Sequence, residues 1–287
     1  MQMKIILLVS LFSAFCVFAG DLNDIKAKLG VKTESMENNL KEVDDKKGFI
    51  KEVGKYYVVE AKDLSQAQVN RVLKYMDLVM EEFVKLYEYP FGVRKVFVRI
   101  YGDREDYKSE AKKYGAENAR GFEYVIGVNN YIVTCYNDYD VDSVLAHEAL
   151  HAFVGKIFKN NLSVWLSEGL ACYFETCYLK DGKITVNNIN SRRLDDSKTA
   201  IKNNEFPKVK DLIRISAGEF SGQKNYVYYA ASWSLIYYLR NKDEKSFEKF
   251  FKDLALGKSF VTSLKANYNI DEKQLNDELK EWIVKKD

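Results

Sequence analysis

Histidine is almost absent from this chain, with two in 287 residues, and proline is as scarce, also with two. So little proline beside 47% apolar residues excludes a disordered chain and indicates a well-packed globule of one large or two small domains. No block of basic residues occurs, and 44 Lys and Arg against 42 Asp and Glu leave a net charge of +2. That balance implies no nucleic-acid partner. Four cysteines make no evident disulfide framework. Internal repeats and low-complexity tracts are missing, and beyond residue 18 no apolar run reaches the length of a membrane span. What the chain has in quantity is aromatic: 20 Tyr and 17 Phe. These could line a substrate groove, but on amphipathic helices such residues usually complete a core.

The N-terminus reads as an export signal. Lys4 supplies the positive start, and Ile5 to Phe18 is an apolar stretch too short for a comfortable membrane span. Cleavage is expected after Ala19, with an uncleaved membrane anchor as the alternative. Phe15 before Cys16 argues against a lipoprotein, which needs a small residue there. Cleavage leaves Cys135, Cys172 and Cys177, an odd number. The mature protein is expected to be secreted or periplasmic and without stable membrane association. Residues 20–48 read as a linker or pro-segment.

Both histidines fall in one pentapeptide, His147-Glu148-Ala149-Leu150-His151. On a helix, residues four apart lie on one face a turn apart, so two imidazoles can grip one metal ion. Neutral imidazole is a common zinc ligand. Glu148 projects about 100° round the helix from His147, where it can reach water at the metal without being a ligand. This is the HExxH arrangement of zinc hydrolases. Its plainer reading is a solvated helix face, but the motif sits within the apolar stretch Val141 to Phe158.

A catalytic zinc usually takes three protein ligands and one open position. No third histidine exists, and Ile157 stands six residues past His151, where a metzincin places its histidine. The third ligand is then expected to be a carboxylate, and Val164-Trp165-Leu166-Ser167-Glu168-Gly169-Leu170-Ala171 supplies Glu168. Sixteen residues lie between His151 and Glu168. That is room to end one helix near Phe158, turn, and start another with Ser163 as N-cap. Coordination by a Cys172 thiolate is a lesser alternative.

HEALH followed by WLSEGLA resembles the gluzincin metallopeptidases, specifically the peptidase MA-like branch. Tyr229-Ala230-Ala231-Ser232-Trp233 with Leu235 to Leu239 resembles that family's downstream helix, and Tyr56 to Glu60 and Val96 to Val98 resemble its early strands. The resemblance implies His147, His151 and Glu168 as ligands of one Zn2+ per chain and Glu148 as general base. It implies a zincin-like α+β fold: a small mixed sheet with an edge hairpin packed on the active-site helix, then a mostly helical C-terminal subdomain. The subdomains are expected at 49–158 and 159–287. Two departures stand out. The His-to-Glu gap is shorter than in the thermolysin and aminopeptidase branches. Cys172 occupies the place, four residues after the ligand Glu, of the Asp that orients a ligand histidine in thermolysin-like members. A backbone carbonyl or another carboxylate has to take that role. Glu175, seven residues past Glu168, is read as a surface acid or as such an outer acid rather than a ligand.

Gluzincins stabilise the oxyanion with a Tyr or a His. No His remains, so Tyr229 is the candidate, with Tyr226 second; the plainer reading makes Tyr229 a core aromatic. A strand is expected over Gly54–Glu60, a helix over Ser65–Tyr87 ended by Pro90 and Gly92, a strand over Val93–Tyr101 and a helix over Asp103–Tyr114. Phe122–Val128 and Tyr131–Tyr136 form an expected hairpin turning at Asn129-Asn130. Such an edge hairpin could pair with a peptide substrate by strand addition. Residues 178–204 read as a turn at Asp181-Gly182-Lys183 and then a polar surface loop without chemistry. A helix is expected over Tyr226–Leu239, and further helices to Lys285. The leading expectation is a secreted zinc metallopeptidase. The alternatives are a non-catalytic, zinc-stabilised binding or scaffold protein, and a zinc hydrolase acting on a non-peptide bond.

Overall fold

A computed structural model describes residues 48–87, 95–126, 129–137, 140–158 and 162–286. The export signal, nearly all of the 20–48 segment and the Pro90–Gly92 helix stop lie outside the described residues. The fold is mixed α+β. The described residues gather into two compact units: one within Gly20–Phe153 together with Tyr178–Ile184, the other within Val154–Cys177 and Thr185–Asp287.

The first unit is built on a five-stranded sheet. Its strands are β1 (Phe49–Val53), β2 (Tyr57–Lys62), β3 (Val96–Tyr101), β4 (Gly121–Ile126) and β5 (Asn129–Cys135), in spatial order β1-β2-β3-β5-β4. β2, β3 and β5 run parallel, and β1 and β4 are antiparallel edges. The strand expected over Gly54–Glu60 is β2, which starts later, at Tyr57, with Gly54 in the connection from an additional strand, β1. Lys51 and Glu52 interrupt the apolar run of β1, which hides it in the sequence. Central β2 and β3 are buried on both faces and read as nearly continuous apolar runs. Helix α1 (Gln66–Tyr87) buries Val69, Val72, Met76, Val79, Met80 and Phe83, the spacing of one helical face. Helix α2 (Arg104–Lys112) begins at Asp103, whose carboxylate accepts from the Glu105 and Asp106 amides.

Rings stack across one sheet face from strand to strand. Phe97 lies 5.0 Å from Tyr131, Tyr131 5.0 Å from Tyr124, and Tyr124 4.3 Å from Tyr114. Such cross-strand pairs help hold register. Beside them Arg99 is buried with Glu60 and Glu110. It donates through Nε and Nη2 to Glu60 Oε2 at 3.2 and 2.8 Å and through Nη1 to the Tyr124 hydroxyl at 3.0 Å, with Glu110 at 3.5 Å. The β4–β5 hairpin forms, but Ile126 pairs with Asn129, so the Asn pair belongs to β5. Residues 127 and 128 between the two strands lie outside the described residues.

In the second unit, helix α4 (Val164–Phe174) packs on the long helix α8 (Asn225–Lys242). Gly169 makes this possible: a Cβ there would meet the Ser232 carbonyl oxygen at 2.7 Å and Ile236 Cγ1 at 2.9 Å. Trp233, Leu235, Ile236 and Leu239 are buried on α8. The region expected to be a turn and a loop holds more structure. Strands β6 (Tyr178–Lys180) and β7 (Lys183–Thr185), which fall in the first unit except for Thr185, flank a turn at Asp181 and Gly182, both at positive φ. Helix α5 (Ser191–Lys202) follows, with the Asn190 side chain accepting from the Arg193 amide. Its buried face is Leu194, Ser197 and Ala200, two of them small, so hydropathy alone does not mark it. Short helices α6 (Val209–Leu212) and α7 (Ala217–Phe220) precede α8, and α9 (Glu244–Ala255), α10 (Phe260–Tyr268) and α11 (Glu272–Lys285) follow it. On these last helices Phe260, Leu264, Leu275 and Leu279 are buried, while Leu254 and Trp282 are half-buried. Cys172 lies on α4, and Cys177 lies beyond its end at Phe174. No disulfide joins the buried Cys135, Cys172 and Cys177. Among the described residues no helix is long and apolar enough to cross a membrane.

Candidate metal centre

Helix α3 (Val141–Phe158) carries both histidines, spans the apolar stretch that holds the motif and ends at Phe158 as expected. Ala146, Ala149, Leu150 and Ala152 are buried, whereas His147, Glu148 and His151 are half-buried. The apolar residues tie the helix down and leave the three polar ones on its open side. Its first turn is fixed by Asp142, which accepts from both terminal nitrogens of Arg71 and whose carbonyl accepts from the Tyr75 hydroxyl at 3.0 Å. An acidic residue there also suits the helix dipole. Farther along, Phe153 packs edge-on against Tyr57 with ring centroids 5.3 Å apart.

The Nε2 atoms of His147 and His151 stand 3.1 Å apart, with the ring planes at 71°. Two nitrogens held tetrahedrally at about 2.0–2.1 Å from one zinc ion are about 3.3 Å from each other. The spacing therefore fits a shared cation. Glu148 lies beside the edge strand: a Cβ on Gly121 would meet Val144 Cγ1 at 2.6 Å and Glu148 Cγ at 3.4 Å. Only glycine lets β4 pass so close to this helix. Near Glu148, Tyr107 has its phenol pushed up to about 12, by burial first, with Glu148 and Cys135 adding and Arg104 opposing.

Ser163 stands at the N-cap of α4 as expected, though its side chain makes no capping hydrogen bond. From Trp165 to Phe174 every residue is buried except Glu168, which is half-buried. One carboxylate on an otherwise apolar helix is costly unless a cation or hydrogen bonds repay it. His147 and His151 belong to the first unit and Glu168 to the second. Two imidazoles and a carboxylate are the donor chemistry of a catalytic zinc site.

Glu175 belongs to a network that sequence reasoning missed. Its Oε1 accepts from Arg193 Nη2 at 2.9 Å and its Oε2 from Asn190 Nδ2 at 2.9 Å. Asn190 Nδ2 also reaches the Cys172 carbonyl oxygen at 3.4 Å. Burial disfavours the Arg193 charge, but Cys172, Glu175 and Tyr229 outweigh it and raise its pKa. The guanidinium lies 5.0 Å from the centre of the Tyr229 ring. Tyr229 itself is half-buried, edge-on to Phe220 with centroids 4.9 Å apart, while Tyr226 is exposed. The available signal was Asn190 as a helix cap three residues before Arg193.

A family model described as a protein of unknown function, DUF1570, matches residues 141–260. Chain and family are thus similar over a stretch that takes in His147, Glu148, His151, Glu168, Arg193 and Tyr229. No curated protein matches the chain.

Proposed function

We propose that this chain is an exported zinc metallopeptidase of gluzincin type with a zincin-like fold. The observation that carries the reading is the 3.1 Å approach of two imidazole Nε2 atoms beside a glutamate on one helix. His147, His151 and Glu168 would hold the ion, one per chain. When bound, zinc supplies a Lewis acid that activates water and polarises a carbonyl. Glu148 takes the water's proton and returns it to the leaving amine. Tyr229 is the hydroxyl donor to the oxyanion. The outer edge of β4 offers unpaired backbone groups to an extended peptide, and Gly121 brings that edge close to Glu148. Peptide or protein is accordingly the proposed substrate.

The test is Glu148→Gln, assayed on a diverse peptide library with and without a chelator. Chelator-sensitive cleavage by the wild type should vanish in the variant, with one zinc per chain in both. Full activity in the variant would remove Glu148 from the mechanism. Bound zinc without any cleavage by the wild type would favour the non-catalytic scaffold.

A further inference from the structure

We propose, resting on the peptidase reading above, that Phe122 with Tyr114 beside it selects an aromatic or large apolar side chain next to the cleaved bond. The substrate class is then an extended peptide carrying such a side chain at one fixed position. Side chains on a strand alternate between the two faces of the sheet. In β4, Gly121 lies against Val144 and Glu148 of the motif helix, so its neighbour Phe122 turns to the opposite face. There its ring centroid stands 5.5 Å from that of Tyr114, 6.0 Å from Tyr124 and 6.2 Å from Tyr107. β4 ends the strand order, so among the described residues no strand covers its outer edge. A peptide strand added at that edge keeps the alternation. Its residue paired with Gly121 faces the Glu148 side, and the next residue pairs with Phe122. Directly opposed residues have Cβ atoms about 4.5–5.5 Å apart, which sets that side chain on the Phe122 ring.

Burial divides the rings on this face into two sets. Phe97, Tyr107, Tyr124 and Tyr131 are buried and belong to the core. Phe122 and Tyr114 are half-buried at the open edge, so part of each ring remains for a partner outside the unit. Another ring at a centroid distance of about 4.5–7 Å is a favourable partner for such a surface. The start of β4 is also held in place. The Tyr107 hydroxyl donates to the Ala119 carbonyl at 2.8 Å, and the Thr134 hydroxyl donates to the Arg120 carbonyl at 2.9 Å. Phe122 is thus mounted on a fixed backbone between two tyrosines, and a preorganised ring gives up little freedom when a side chain settles on it.

The experiment is cleavage profiling of a peptide library by the zinc-loaded wild type, Phe122→Ala and Phe122→Leu, followed by kcat/KM on matched peptides that differ only at the selected position. The wild type should favour aromatic and large aliphatic residues at one position beside the cleaved bond. In Phe122→Ala the kcat/KM ratio of the phenylalanine peptide to the alanine peptide should fall about 10-fold, with the preferences at other positions unchanged. Phe122→Leu keeps the bulk and loses the ring, so it should favour aliphatic over aromatic residues at that same position. Should Phe122→Ala fail to fold, Phe122→Leu carries the test. A wild type without preference beside the cleaved bond, or one whose preference survives in both variants, would overturn the proposal and leave the peptidase reading intact. So would an equal loss of activity on both matched peptides, which would make Phe122 a packing residue. A wild type that cleaves no peptide would sink the peptidase reading and this proposal with it.

Discussion

Two buried arginines are used differently in the two units. Arg99 spends all three side-chain nitrogens on Glu60, Glu110 and Tyr124 within a sheet of stacked rings. Arg193 holds Glu175 and leaves its Nε bare. The first arrangement is what a structural charge cluster needs, since each lone pair and proton must be repaid once water is gone. The second gives up that saturation beside the Tyr229 ring and Asn190.

The comparison can be broken at four places. Arg99→Met should cost about 3–5 kcal/mol of unfolding free energy in a denaturant melt, because the buried Glu60 loses the guanidinium that pairs with it, while Glu110 keeps its bond from Lys113. A loss under about 1 kcal/mol would mean that the cluster is not structural. Tyr229→Phe keeps the ring beneath Arg193 and should leave stability within about 1 kcal/mol. Its turnover on a cleaved peptide should fall about 100-fold with zinc retained. Unchanged turnover would make Tyr229 a packing residue. Arg193→Met should cost about 1–3 kcal/mol of stability, less than Arg99→Met because Asn190 still serves Glu175. Lys62→Ala removes a half-exposed pair with Asp106 and should change the melt by about 0–1 kcal/mol and zinc affinity not at all.

The legible parts of this chain are those where local pattern and packing agree. Helix α1, the motif helix α3 and strand β3 follow apolar spacing, and their bounds are read within a few residues. Helix α4 was legible through its Ser163 start. What escaped has a physical cause in each case. β1 carries Lys51 and Glu52 in its middle, so its apolar alternation is weak. Asn129 and Asn130 belong to β5 rather than to the expected turn, and only pairing partners reveal the register. Helix α5 buries Ser197 and Ala200 where a large apolar residue would have announced a face, and with it went Arg193 and Asn190. The carboxylate–guanidinium network joins residues eighteen positions apart, Glu175 and Arg193, and no periodicity within one element encodes it.

The central claim is that His147, His151 and Glu168 share one zinc ion. Anomalous diffraction at the zinc absorption edge, from crystals grown with one equivalent of zinc, addresses it directly. The account predicts one peak per chain, about 2.0–2.2 Å from Nε2 of both histidines and from a Glu168 carboxylate oxygen. A peak bonded elsewhere, or none at His147 and His151 despite zinc in the crystal, would contradict it.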